Sequence, residues 1–143
     1  MSATYDDARQ WTNVLAEIPL FAGLSNRDLR RVASVATIKR FHEQTEIIRA
    51  GEPGDALYIV LDGSVAVHRR GLRRVDLGIG SVFGELSLLD GGPRSATVYA
   101  SEPVACLRIA RPRFAKLLRS EPGIAIALLE ELAARLRAAQ SML

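Results

Sequence analysis

Two side chains of opposite charge, nine residues apart, are the residues best suited to bind a small molecule. Glu85 follows a glycine at the predicted start of a short helical turn, and Arg94 follows Pro93 ahead of a β-rich run. The free N–H groups of a helix N-terminus bind anions, and a guanidinium binds phosphate through two hydrogen bonds. A carboxylate repels phosphate but accepts hydrogen bonds from sugar hydroxyls. The two side chains therefore indicate a pocket for a sugar phosphate or a nucleotide.

The segment around these residues, FGELSLLDGGPRSATV (83–98), resembles the phosphate-binding cassette of the cyclic-nucleotide-binding domain family. An ordered set of spaced motifs accompanies it and is more specific than a single glycine motif. The resemblance extends from about residue 18 to about residue 140. It implies that Glu85 binds the ribose 2′-OH and that Arg94 pairs with the cyclic phosphate. The accompanying motifs are Pro19-Leu20-Phe21, Gly51-Glu52-Pro53-Gly54-Asp55, Tyr58-Ile59-Val60 and Gly63.

The resemblance also implies roles for the residues around this pair. Backbone N–H groups are expected to complete the phosphate site, and they belong to Gly84, Leu86, Ser87, Ser95 and Ala96. Side chains on the barrel side of the base are expected to be Val82, Phe83 and Leu86.

The nucleotide base and its cover involve two further positions. In the family, the position of Ser95 often carries alanine where cyclic AMP (cAMP) is preferred, and serine or threonine where cyclic GMP (cGMP) also binds. Ser95 thus leaves both ligands open, and we favour cAMP. Arg135, on the last helix, is expected to stack on the base, as a flat guanidinium can. The alternative for Arg135 is a solvent-facing arginine.

Periodicity predicts the elements that position these residues. Apolar residues at helical spacing predict an amphipathic helix over residues 4–18, capped by Thr4, and Ser25 is expected to start a second helix. Short β-branched runs follow from 37 to 109, and Asp62-Gly63 predicts a tight hairpin between two of them. Pro112 and Pro122 suit the first turns of two C-terminal helices.

The predicted fold is α+β: an antiparallel β-roll or jelly-roll barrel with a short cassette helix, flanked by N-terminal helices and two C-terminal helices. At 143 residues the chain fits one domain. Its segments are a helical part at 1–36, the β-roll with its cassette at 37–110, and hinge and lid helices at 111–143.

Composition excludes several classes of protein. No apolar run approaches the ~20 residues of a membrane span, and the N-terminus lacks the pattern of a secretory signal. Cys106 is the single cysteine and cannot form an internal disulfide, so we expect a cytoplasmic protein. The net charge is +3, with basic residues concentrated at 68–74. This run suits a nucleic acid or an anionic lipid, but a solvated hairpin tip is the favoured interpretation.

We interpret the chain as a cyclic-nucleotide sensor without catalysis, a metal or a cofactor. A metal-dependent barrel enzyme needs clustered histidines, but His42 and His68 lie in different segments. One alternative is the regulatory half of a catabolite-activator-type transcription factor. Such regulators need a helix-turn-helix after the last helix, so direct DNA binding is not expected from this chain. Another alternative is the soluble fragment of a cyclic-nucleotide-gated channel, without membrane insertion. The effector protein or domain is unknown.

The last helix carries a short seam of apolar residues at alternating three- and four-residue spacing. Two interpretations stay open: the seam packs on the chain's own barrel, or it pairs with a second subunit in a homodimer. The seam consists of Leu129, Leu132, Leu136, Ala139 and Leu143.

Overall fold

The computed structural model describes residues 8–142, so Thr4 and Leu143 lie outside the described residues. The helices are α1 (Ala8–Ala16), α2 (Asn26–Ala33), α3 (Glu85–Asp90), α4 (Arg111–Ser120) and α5 (Pro122–Gln140), with a 3-10 turn at Pro19–Phe21. The strands are β1 (Ala36–Phe41), β2 (Glu46–Ile48), β3 (Ala56–Asp62), β4 (Val65–His68), β5 (Val75–Leu77), β6 (Val82–Phe83), β7 (Thr97–Ala100) and β8 (Val104–Ala110).

The strands form two antiparallel four-stranded sheets. Their orders are β1-β8-β3-β6 and β2-β7-β4-β5. β8 pairs with β1 on one side, where Ala36 lies opposite Ile109, and with β3 on the other, where Ala56 lies opposite Ala110. Helices combined with two antiparallel sheets confirm the predicted α+β class.

One hydrophobic core draws on both sheets. Tyr58, Val60 and Cys106 contribute from the first sheet, and Val65 and Val98 contribute from the second. Side chains two residues apart on a strand point to the same face, which is how short strands can supply this core. The core supports the loop and helix that β6 and β7 flank, where the cassette lies.

The predicted hairpin at Asp62-Gly63 is wrong. β3 and β4 belong to different sheets, because β3 pairs with β8 and β6 while β4 pairs with β5 and β7. The short link therefore carries the chain from one sheet to the other. The physical reason is burial: β3 is buried along residues 56–61 and finds its long-range partner in β8, while β4 finds a different long-range partner in β7.

The basic run does form a hairpin tip. β4 pairs with β5, and Arg69, Arg70 and Arg73 are exposed between or beside them. Arg74 differs from these three arginines, because its Nε donates to Asp76 at 2.9 Å and its guanidinium lies 5.5 Å from the centre of the Tyr99 ring. The exposed tip agrees with the interpretation of this run as a solvated turn.

The residues that flank the strands form a compact unit of their own, built from 8–35 and 114–142, while 36–113 form the β unit. In the helical unit, Ser25 caps α2 by accepting a hydrogen bond from the Asp28 N–H at 3.2 Å. The rings of Phe21 and Phe114 lie 6.1 Å apart in its core. Leu15, Ile18 and Ile124 are buried there as well.

The exposed side of α5 carries large apolar residues. Leu129 and Leu136 are 64% and 65% exposed, and Ile126 is 56% exposed. These leucines of the predicted seam are therefore not buried by the described chain. No helix among residues 8–142 combines the length and apolarity that crossing a membrane requires.

Candidate functional site

The β unit contains a cavity of about 370 Å³. Its walls come from β2, β4, β5, β6, α3, β7 and the loop before β7. The lining residues are Ile48, Val67, Arg69, Leu77, Val82, Phe83, Gly84, Glu85, Leu86, Ser87, Pro93, Arg94, Ser95, Ala96 and Val98. The structure thus brings together nine of the ten residues that the sequence predicts for ligand binding, and Arg135 is the tenth.

Arg94 is a buried cation in the wall of this cavity. Its side chain is 3% exposed. Nη2 donates to the carbonyl oxygen of Ala56 at 2.9 Å and to Oδ1 of Asp55 at 3.2 Å. Nη1 is buried and has no hydrogen-bond partner among residues 8–142. Because an unsatisfied buried donor costs about 1–3 kcal/mol, a charged donor left in this state indicates a place for an anionic acceptor.

Gly84 makes room for this guanidinium. It caps α3 with a φ of +82°, a conformation that side chains with a Cβ rarely adopt. A Cβ at this position would collide with Nη1 of Arg94 and would lie 2.6 Å from the Ala56 carbonyl oxygen. The glycine before Glu85 is therefore required both for the turn and for the close approach of the arginine.

Glu85 begins α3 and lines the same cavity, half-buried. Ser87, two residues further, is buried, and its hydroxyl donates to the Gly92 carbonyl at 3.2 Å. Asp90 is exposed, and its Oδ1 accepts a hydrogen bond from the Gly92 N–H at 2.7 Å. Both side chains thus hold the loop between α3 and Arg94, which places the acid and the arginine on one cavity.

The remaining wall of the cavity is apolar. Phe83 is buried and stacks on Tyr58 with ring centroids 5.1 Å apart, whereas Leu86 is 62% exposed at the same cavity. Four further apolar residues line it that sequence reasoning did not assign to the site: Ile48, Val67, Leu77 and Val98. Arg69 also lines it and was assigned only to the basic run. Arg69 comes two residues after Val67, and side chains at that spacing along an extended chain point to the same face. This spacing is the sequence signal that would have placed Arg69 beside Val67.

A family model described as a cyclic nucleotide-binding domain matches residues 38–121. The chain belongs to the cyclic nucleotide-binding domain family. This confirms the resemblance, and the match spans more than half of the chain.

Individual curated proteins are similar to the chain over most of its length. The chain is 38% identical over 120 residues to a cyclic nucleotide-gated potassium channel of Mesorhizobium japonicum, covering 84% of this chain and 33% of the channel. It is 35% identical over 121 residues to glutaminase 2 of Bradyrhizobium diazoefficiens, covering 84% of this chain and 19% of that protein. The chain thus spans a third or less of the curated relatives it matches.

A solved structure shares both fold and sequence with the chain. It is the N-terminal domain of a transcriptional regulator from Streptomyces coelicolor, with a TM-score of 0.80 and 33% identity. The similarity covers 90% of this chain and 95% of that one. Nearly the whole chain therefore shares the fold of that regulator's N-terminal domain.

In this cyclic nucleotide-binding domain, Asp55 supports the buried arginine from the loop before β3. Its Oδ2 lies 3.5 Å from Nη2 of Arg108, while its Oδ1 accepts from Arg94. Nε of Arg108 donates to the Tyr58 hydroxyl at 3.1 Å. The carboxylate is thus shared by two guanidinium groups, so it holds Arg94 in place without neutralising the whole cluster.

Arg135 lies on α5, in the helical unit. Its Nε is 3.4 Å from Oε2 of Glu131, one turn earlier on the same helix. The stacking of Arg135 on a base stays a prediction. Within residues 8–142, no group of three or more His, Cys, Asp or Glu side chains is placed to hold a metal ion.

Proposed function

We propose that this chain is a non-catalytic sensor domain that binds a cyclic nucleotide, with cAMP favoured and cGMP as the alternative ligand. The observation that carries the proposal is the buried Nη1 of Arg94, which lacks a partner among residues 8–142 and belongs to a residue of the cavity wall. A cyclic phosphate supplies the missing acceptor and a negative charge for the guanidinium.

The other walls of the cavity suit the rest of such a ligand. Glu85 accepts hydrogen bonds from the ribose 2′-OH. The apolar wall with Val82, Phe83 and Leu86 takes the face of the purine, and the backbone N–H groups of the cassette surround the phosphate. In each case the support is that the residue lines the same cavity as Arg94.

The preference between the two nucleotides depends on Ser95. Ser95 lines the cavity and is exposed, and a serine hydroxyl can accept a hydrogen bond from the guanine amino group of a syn base. The same residue type at this position is compatible with cAMP in many members of the family. We therefore propose cAMP as the main ligand.

The proposed output is movement of the helices that flank the β unit. Binding shifts the population toward a state in which the helices have changed position, with a coupling free energy of roughly 1–3 kcal/mol. Relatives that carry this domain include a potassium channel and a transcriptional regulator, so the effector is a domain or partner of one of these kinds.

We further propose that α5 pairs two copies of the domain. Its exposed Leu129 and Leu136 are seven residues apart and therefore lie on one side of the helix. Sedimentation of the wild type and of the double variant Leu129→Glu, Leu136→Glu tests this. A dimer that dissociates in the variant supports the pairing, and a monomeric wild type at high concentration contradicts it.

Isothermal titration with cAMP and with cGMP tests the ligand proposal. The wild type should bind cAMP more tightly than cGMP. Arg94→Gln should lose affinity by tens to thousands of fold, as expected when a desolvated charge contact worth roughly 2–5 kcal/mol is removed. Arg40→Gln, at an exposed arginine of β1, is the matched control and should bind as the wild type does. Absence of binding heat with both nucleotides would overturn the proposed function.

A further inference from the structure

Arg111 contacts both the cassette helix α3 and the loop before β3. It is the first residue of α4 and directly follows β8. Its guanidinium Nη2 donates to the carbonyl oxygen of Leu89, in the last turn of α3, at 3.4 Å. Its backbone N–H donates to the carbonyl oxygen of Asp55 at 2.8 Å. One residue thus touches the helix and the loop that hold the charged part of the site.

The end of α3 is shaped to accept this arginine. Gly91 caps the helix with a φ of +68°, and its N–H donates to the Ser87 carbonyl at 2.8 Å. A Cβ on Gly91 would lie 3.2 Å from Nε and 3.3 Å from Cζ of Arg111. A cation against the carbonyl end of a helix is favourable, because those carbonyl groups carry partial negative charge. The glycine lets the guanidinium lie directly against that end.

The guanidinium is also partly desolvated. Nε of Arg111 is buried and has no hydrogen-bond partner among the residues that the structure describes. An exposed arginine would leave this donor to water, so its burial shows that the side chain is packed against α3 and not merely close to it. Movement of the end of α3 therefore displaces the contacts of Arg111.

The second contact of Arg111 leads to the phosphate side of the cavity. Asp55 accepts the Arg111 backbone N–H through its carbonyl oxygen and the Arg94 guanidinium through Oδ1, at 3.2 Å. Arg94 itself is the residue proposed to bind the cyclic phosphate. The start of α4 is consequently two contacts away from the anion site through Asp55, and one contact away from the cassette helix through Leu89.

We propose that Arg111 is the positioning residue that couples the cassette to α4, an inference that rests on the proposed function of the cavity. Ligand binding shifts α3, and Arg111 carries that shift to the first turn of α4. The competing explanation is a purely structural cap of α3, which would stabilise the helix without transmitting anything.

Hydrogen exchange with mass spectrometry separates the two explanations. The variants are Arg111→Gln, Arg111→Lys, which keeps the charge, and the matched control Arg113→Gln at an exposed arginine two residues later. Without nucleotide, amide exchange in α3 should be about two- to fivefold faster in Arg111→Gln, a factor typical of losing a cation at a helix end. It should be unchanged in Arg113→Gln and partly restored in Arg111→Lys.

The second arm adds saturating cAMP, with saturation checked by titration for each variant. In the wild type, exchange should slow in both α3 and α4. In Arg111→Gln, α3 should still respond, while the response of α4 falls to about a third or less. A full α4 response in this variant, or a wild type whose α4 does not respond to bound nucleotide, would overturn the coupling.

Failure of the proposed function has a different signature. A wild type that binds neither nucleotide refutes the proposed sensor function. The nucleotide-free measurement then still tests whether Arg111 holds the cassette helix α3. Unchanged α3 exchange in Arg111→Gln would show that Arg111 does not hold the cassette helix, which removes the basis of the inference.

Discussion

Replacing Gly84 with alanine should damage the site by displacing Arg94. The added Cβ would collide with Nη1 of Arg94 and lie 2.6 Å from the Ala56 carbonyl oxygen. Ala56 belongs to β3, which is hydrogen-bonded along its length to β8, so its carbonyl is fixed by the sheet. The arginine side chain is therefore the group that must move.

The size of the effect follows from two contributions. A φ of +82° costs a residue with a Cβ roughly 1–2 kcal/mol, and forcing an extra methyl group into packed surroundings costs about 1–3 kcal/mol. The free energy of unfolding should fall by about 2–5 kcal/mol in total. Gly80 supplies the matched control, because it has a φ of +89° with nothing within 4 Å of an added Cβ. Gly80→Ala should show only the first contribution.

Urea unfolding with and without cAMP measures both stability and binding. At a ligand concentration of 100 times the wild-type Kd, binding should stabilise the wild type and Gly80→Ala by about 2.7 kcal/mol. If displacement of Arg94 raises Kd by about 100-fold, the same concentration stabilises Gly84→Ala by only about 0.4 kcal/mol. Equal losses of stability and equal ligand effects in the two variants would refute the argument that Gly84 makes room for Arg94.

Two further predictions concern the core and a helix cap. Burial raises the pKa of the Cys106 thiol to about 12, so the folded protein keeps a proton that the unfolded chain releases near pH 8.5. The free energy of unfolding should therefore fall by about 1.4 kcal/mol per pH unit between about pH 9 and pH 12, relative to that of Cys106→Ala. If urea unfolding showed the same pH dependence of this free energy for both proteins, the prediction would be contradicted. Ser25→Ala should remove the hydrogen bond to the Asp28 N–H and lower the free energy of unfolding by about 1 kcal/mol, measured in urea, with no change in nucleotide affinity.

Local signals in the sequence predicted much of the fold because they act within a few residues. Ser25 and Pro122 mark helix starts through capping and a fixed φ, and both helices begin there in the structure. The hairpin predicted at Asp62-Gly63 was wrong because a turn signal shows only that the chain bends. Whether the two strands then pair depends on partners far away in sequence, such as β7 for β4 and β8 for β3.

The candidate site was predictable in its charged part and not in its apolar part. Glu85 and Arg94 are unusual residues in a recognisable segment, and the structure places both at one cavity. Val67 and Val98 belong to strands in which apolar residues recur, and this pattern is the same whether the apolar face covers a core or lines a cavity. Their register, with Val67 opposite Val98, is set by pairing across the sheet, which a single strand's sequence does not contain.

The central place of β8 also affects how this chain folds during synthesis. β8 is the last strand to be made, yet it lies between β1 and β3 and pairs with both of them. At roughly 5–20 residues per second, the ribosome needs several seconds to extend the chain from the end of β1 to the start of β8. During that interval the strand edges that β8 covers in the folded protein are free, and a free strand edge is a template for pairing with another chain.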